Sequence, residues 1–145
     1  MFRPLWASLD AFVRAGNVAT TTELYKEMCH ITGTFGQCVH DCKNDLLLEV
    51  DDRSWDGLAY IGNYDRMRKQ HAQYISEYTH MNSKQTISLN DLTVIALAKT
   101  LRLPVVSEER SAMPSPTKRR IPDICHLENV LHHTFVKFLE IEGLT

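Results

Sequence analysis

From Ser88 to Ser107 the chain runs from a helix start through an apolar helix and almost directly into an extended apolar run. That order restricts the fold more than any other feature of the sequence. Ser88-Leu89-Asn90-Asp91 carries the capping residues that open a helix. Leu92, Ile95, Ala96 and Lys99 then share one face, with Val94, Ala98 and Leu101 on the neighbouring one, so the helix is expected to be buried. Leu103-Pro104-Val105-Val106-Ser107 reads as a short strand. A buried helix feeding a strand argues for α/β layering.

The remainder is compatible with that class. At 145 residues the chain suits a single domain spanning 1–145 with a real core. Hydrophobic residues at 43% and charged residues at 23% describe an ordinary globular composition. The longest purely apolar run, Val94 to Ala98, falls far short of the roughly 20 residues a membrane span requires. Arg3, Pro4 and Asp10 interrupt any signal-peptide core, so a cytoplasmic location without membrane contact is expected, with the cysteines kept as thiols. A net charge of −2 does not announce nucleic acid, but a site built from clustered carboxylates would itself use up acidic residues.

Pro4 to Ala15 reads as an amphipathic helix on Leu5, Leu9, Phe12 and Val13, with Gly16 just past its end. Asn17-Val18-Ala19 is a candidate strand, and Thr20 to Thr22 offer N-caps to a second helix through Glu23 and Met28. After a break at 32–36, a short helix is expected through Val39 and Cys42. The run Leu46 to Val50 reads as a strand or a helix end, and 54–80 as mostly polar and helical. Glu108 to Thr117 is loop, Ile121 to Cys125 is expected to be extended, and His132 to Ile141 forms the last helix. The strands Val18-Ala19, Leu46 to Val50 and Leu103 to Ser107 are expected in one mainly parallel sheet, with the helix Asn90–Leu101 packed on it.

Glu23, Asp91 and Glu109 fall at element ends, where open α/β sheets place their ligands. Carboxylates from separate elements suit a hard cation such as Mg²⁺ or Mn²⁺, and they are expected within about 10 Å of one another around one. First-turn acids also arise simply because they oppose the helix dipole. Cys38 and Cys42 have a zinc-like spacing without a second matched pair, and packed or surface thiols are the alternative. Lys118-Arg119-Arg120 could contact RNA phosphates or form a solvated loop.

At these residues the chain resembles the PIN-like superfamily. Val18-Ala19-Thr20-Thr21-Thr22-Glu23-Leu24 is similar to the entry of the second PIN helix. Asn90 to Ala98 resembles the segment carrying the third PIN acid, and Val105 to Glu109 the strand after it. Val105 to Glu109 followed by Lys118-Arg119-Arg120-Ile121-Pro122-Asp123-Ile124-Cys125 resembles a PIN-like family catalogued as a domain of unknown function. The resemblance implies a three-layer α/β/α fold with a mostly parallel sheet. It implies a Mg²⁺- or Mn²⁺-dependent endoribonuclease like the VapC-type toxins, with RNA as substrate and an antitoxin protein as partner; homodimerisation is a further expectation. Glu23, Asp91 and Glu109 would supply the second, third and fourth acids, with Glu108 as the alternative to Glu109. PIN domains open with a strand ending in Asp. Here Met1-Phe2-Arg3 leads straight into the helix that follows that strand, so an N-terminally truncated version is expected. The absent first acid supports a second reading, an inactive PIN-like module that binds RNA or protein.

Overall fold

The structure is a computed structural model that describes residues 3–48, 54–76 and 87–144. Among these residues the chain is mixed α/β, with helices joined to short parallel strand pairs. The N-terminal part is helical: α1 (Arg3–Arg14), α2 (Thr22–Cys29), α3 (Thr34–Asp41) and the single turn α4 (Lys43–Leu46). α1 stops where Gly16 takes φ +81°, a left-handed value that glycine adopts without strain. Thr21 caps α2 by accepting the Leu24 amide at 3.3 Å. Tyr25, Val39, Cys42 and Leu46 close these helices over a small core of their own.

The main core is built on α6 (Leu89–Leu101). Ser88 accepts the Asp91 amide at 3.0 Å, and the Asp91 carboxylate accepts the Ser88 amide at 3.3 Å, so both free amides are satisfied at the helix start. Leu92, Ile95 and Ala96 are completely buried. α6 packs along α5 (Gly57–Gln70), where the Asn63 amide donates to Thr100 Oγ1 at 3.0 Å. Met67, Ile75, Ile87 and Ile124 complete the core. No helix among the described residues is long and apolar enough to cross a membrane.

Three parallel contacts stand in place of the single expected sheet. β1 (Ile75–Ser76) pairs with β2 (Ile87–Ser88), and β3 (Val105–Val106) pairs with β4 (His132–His133). Thr20 and Leu47 form an isolated parallel bridge. Among the described residues these pairs do not join, and Val18-Ala19 is not a strand. Of the expected run Leu46 to Val50, Leu46 ends α4 and Leu47 makes the bridge, while Glu49 and Val50 lie outside the described residues, as does the expected helical stretch beyond Ser76.

Two further expectations are corrected. Ile121 to Cys125 is not extended; it begins α7 (Ile121–Leu127). Pro122 sits in the first turn, where its missing N–H costs nothing, and the Asp123 carboxylate accepts the Arg120 amide at 2.9 Å. His132 and His133 form a strand rather than a helix start, and Thr134 caps α8 (Phe135–Ile141) after them.

A buried ion cluster ties α5, α6 and the turn after α7 together. Glu128, only 3% exposed, accepts two hydrogen bonds from Arg66 at 2.7 and 3.1 Å and meets His71 Nε2 at 2.5 Å. Lys99 donates to the Glu128 carbonyl at 2.6 Å and lies 3.4 Å from its carboxylate. Burial opposes ionisation, but Arg66 and His71 outweigh it and hold this carboxyl down at about 2.

Candidate functional site

α6 precedes β3 in the chain, so its first turn supplies Asp91 and the loop after β3 supplies Glu109, at the two ends of one helix–strand unit. One oxygen of Asp91 is held by the Ser88 amide. One oxygen of Glu109 accepts the Ile121 amide at 3.0 Å, at the start of α7. The Ser107 hydroxyl accepts the Glu109 amide at 3.3 Å and meets His132 Nε2 at 2.7 Å, which fixes the chain as it leaves the strand.

Both carboxyls are pushed above their ordinary range. Burial is the main cause for Asp91; the Ser88 contacts pull the other way, and the charge of Glu27 adds to the rise. Burial is again the main cause for Glu109, with the Ile121 amide opposing it and the charge of Asp91 adding to it. Asp91 thus feels Glu27, and Glu109 feels Asp91, so three acids from α2, α6 and the loop after β3 share one electrostatic neighbourhood.

Glu27 was not among the residues expected from sequence. Its carboxylate accepts the Asn90 side-chain amide at 2.6 Å, which links α2 directly to the first turn of α6. The available signal was spacing: Glu23 and Glu27 are four apart and share a face of α2. Glu23 itself lies one turn earlier, exposed, with its charge acting on the Tyr60 hydroxyl. That hydroxyl is pushed up to about 12, first by burial and then by Glu23, and it also bonds Thr93. Thr93 in turn meets the Thr21 hydroxyl at 2.7 Å. Glu108, the alternative to Glu109, accepts the Phe135 amide at 2.7 Å and so is engaged with the start of α8.

The three basic residues separate in role. Arg119 folds back: its guanidinium donates to the carbonyls of Ser115 and Lys118 at 2.9 and 2.7 Å and lies 4.9 Å from the Tyr74 ring centre. Lys118 and Arg120 are exposed, and the charge of Arg120 favours the ionised form of Glu109. Asp123, also missed from sequence, holds the intervening loop by accepting from the Ser111 hydroxyl and from the amides of Ala112 and Arg120.

Glu27, Asp91 and Glu109 form an all-oxygen donor set, the kind that suits Mg²⁺ or Mn²⁺. Asp91 is held by the amide and hydroxyl of Ser88, Glu27 by the Asn90 side-chain amide and Glu109 by the Ile121 amide. Their mutual repulsion is the kind a cation relieves. They do not form a tight cage: among the described residues no three His, Cys, Asp or Glu side chains are close enough to hold a metal ion. The same finding leaves the zinc-like spacing of Cys38 and Cys42 without support; both are free thiols, and burial pushes the Cys42 thiol up.

No curated protein and no solved structure matches the chain. Over residues 1–145 it matches the family described as Domain of unknown function (DUF4411), and the chain belongs to that family.

Proposed function

We propose that this protein is a metal-dependent endoribonuclease of the PIN-like type, with Glu27, Asp91 and Glu109 facing the cation and Glu23 one turn away on the same helix face. The observation that carries this reading is the set of three carboxylates held by neutral donors, on α2, on the first turn of α6 and on the loop after β3. Parallel pairing at every strand contact among the described residues is in keeping with a three-layer α/β/α arrangement. The wide spacing of the acids suits hydrated Mg²⁺, which keeps several waters and binds through one or two carboxylates. A bound cation would supply an activated water and neutralise charge building on the phosphodiester. The protein's own part is to fix the carboxylates, and to present Arg120 and Lys118 to the phosphate backbone. The RNA substrate, the toxin role and the antitoxin partner rest on the resemblance of the sequence.

The second reading, an inactive RNA- or protein-binding module, is favoured by the lack of a closed metal cage among the described residues. Cleavage of a labelled single-stranded RNA with Mn²⁺, with and without EDTA, separates the two readings. EDTA-sensitive cleavage that Asp91→Asn abolishes supports the nuclease. Binding of RNA with no cleavage, unaltered by Asp91→Asn, supports the module.

A further inference from the structure

We infer that the cleft between the ends of α6 and α7 docks an acidic segment of a partner protein, one that carries a bulky apolar side chain beside its carboxylates. Lys99 in the cleft wall stands eight residues beyond Asp91, about 12 Å along the helix axis, so the cleft is separate from the first turn of α6. Its volume is about 380 Å³, enough for one anchoring side chain with its neighbours. Buried Ala98 and Val130 give it an apolar base, and Leu103 and Leu131, 52% and 67% exposed, add apolar surface at its rim. A small molecule filling the cavity would leave the outer parts of both leucines wet, whereas a chain segment covers them.

Charge selects the occupant. Arg66 and Lys99 bring two cations to the single carboxylate of Glu128, and Lys99, 33% exposed, keeps its ammonium 3.4 Å from that carboxylate. Arg102 is exposed and makes no ion pair among the described residues. Positive charge is therefore in excess beside exposed leucines, which suits an acidic apolar peptide better than a phosphate backbone with nothing to place on the leucines. The backbone supplies a second observation. α6 and α7 each end with an amide reaching back five residues, Leu103 to the Ala98 carbonyl at 3.0 Å and Val130 to the Cys125 carbonyl at 2.8 Å. Helix ends of this kind favour glycine at their left-handed residue. Here Arg102 (φ 57°) and Asn129 (φ 58°) hold those positions, and both line the cleft. Asparagine tolerates the conformation, because its short side chain bonds locally, but arginine gains nothing from it. Glycine at 102 would relieve the backbone, so folding does not account for a guanidinium at this rim.

The test pans a phage-displayed library of random short peptides on the full chain and measures the selected peptides, fluorescein-labelled, by anisotropy. Peptides that place a leucine, isoleucine or phenylalanine close to an aspartate or glutamate are expected. Their affinity should fall at least about ten-fold in Leu131→Ser and in Arg102→Gly, and added salt should weaken the wild type more than Arg102→Gly. Arg102→Gly relieves the left-handed residue, so its melting temperature should be unchanged or higher. Its Mn²⁺ affinity should match that of the wild type, so the docking site and the nuclease reading fail separately. Selection of no peptide, selected peptides without acids, or affinity unaltered in either variant overturns the docking site. Displacement of the peptide by an oligoadenylate, lost in Arg102→Gly, would make the cleft an RNA site and overturns it as well. Self-association in sedimentation that Leu131→Ser abolishes would assign the cleft to a second copy of the chain, with the same consequence.

Discussion

Glu23 and Glu27 differ by one helical turn, and what each meets separates them: Glu23 influences a tyrosine, whereas Glu27 is held by Asn90 beside Asp91. The sequence pattern brought out Glu23 because it opens the helix, but the side chain that reaches α6 is settled by the crossing of two helices, which local spacing does not encode. Glu27→Gln is therefore expected to weaken Mn²⁺ binding more than Glu23→Gln does, measured by isothermal titration. Asn90→Ala, which frees Glu27 without touching any charge, should cost roughly ten-fold in Mn²⁺ affinity. Equal effects of the two glutamate changes would return the role to Glu23. The raised carboxyls also set a pH dependence. Because Asp91 and Glu109 hold protons more tightly than ordinary carboxyls, Mn²⁺ affinity should fall on acidification from a higher pH than a normal carboxylate pair would show. In the folded protein their neutral forms are favoured, so their contribution to stability is present at low pH and lost as pH rises through the folded values. Asp91→Asn should then leave the melting temperature at pH 7 unchanged or higher while removing metal affinity.

At the scale of elements, the parts legible in the sequence were those specified by their own caps. α6 followed from Ser88 and Asp91, and α2 from its threonines, because a side chain that satisfies a helix-end amide acts within a few residues. The same logic holds at Arg120-Ile121-Pro122-Asp123, where the apolar residues suggest a strand but the proline and its following acid start α7. His132-His133 carries no strand signal of its own; its extended form comes from pairing with Val105-Val106, a non-local partner. Ser88→Ala is expected to lower stability by about 1 kcal/mol, read from the urea midpoint, since it removes one half of the capping pair. Gly36 offers a sharper check. A β-carbon there would lie 1.9 Å from the Ile31 carbonyl oxygen, a backbone atom that cannot swing aside. Gly36→Ala should therefore cost at least about 2 kcal/mol, and a neutral effect would mean that α3 does not approach the end of α2 this closely.

For the whole molecule, the ion cluster at Glu128 gives the fold a distinct acid lability. With its folded value held at about 2 against an ordinary value of 4.5, Glu128 contributes stability that is present above pH 4.5 and lost as pH falls towards 2. Glu128→Gln should cost about 3 kcal/mol at neutral pH and flatten the dependence across that window. An unaltered urea midpoint between pH 5 and pH 3 in the wild type would contradict the cluster's weight. Neither this cluster nor the acid site was visible as a whole in the sequence, since Arg66, His71, Lys99 and Glu128 meet only once α5, α6 and α7 have packed. The central proposal is that one hydrated hard cation sits at the first turn of α6, bound directly by one or two of the carboxylates Glu27, Asp91 and Glu109. Isothermal titration of MnCl₂ into the wild type and Asp91→Asn at pH 7 tests it most directly, independent of how well this chain cuts RNA. One Mn²⁺ per chain, with affinity lowered at least ten-fold by Asp91→Asn at an unchanged melting temperature, is the result the account predicts. No Mn²⁺ bound by the wild type, or equal binding by both proteins, would contradict it.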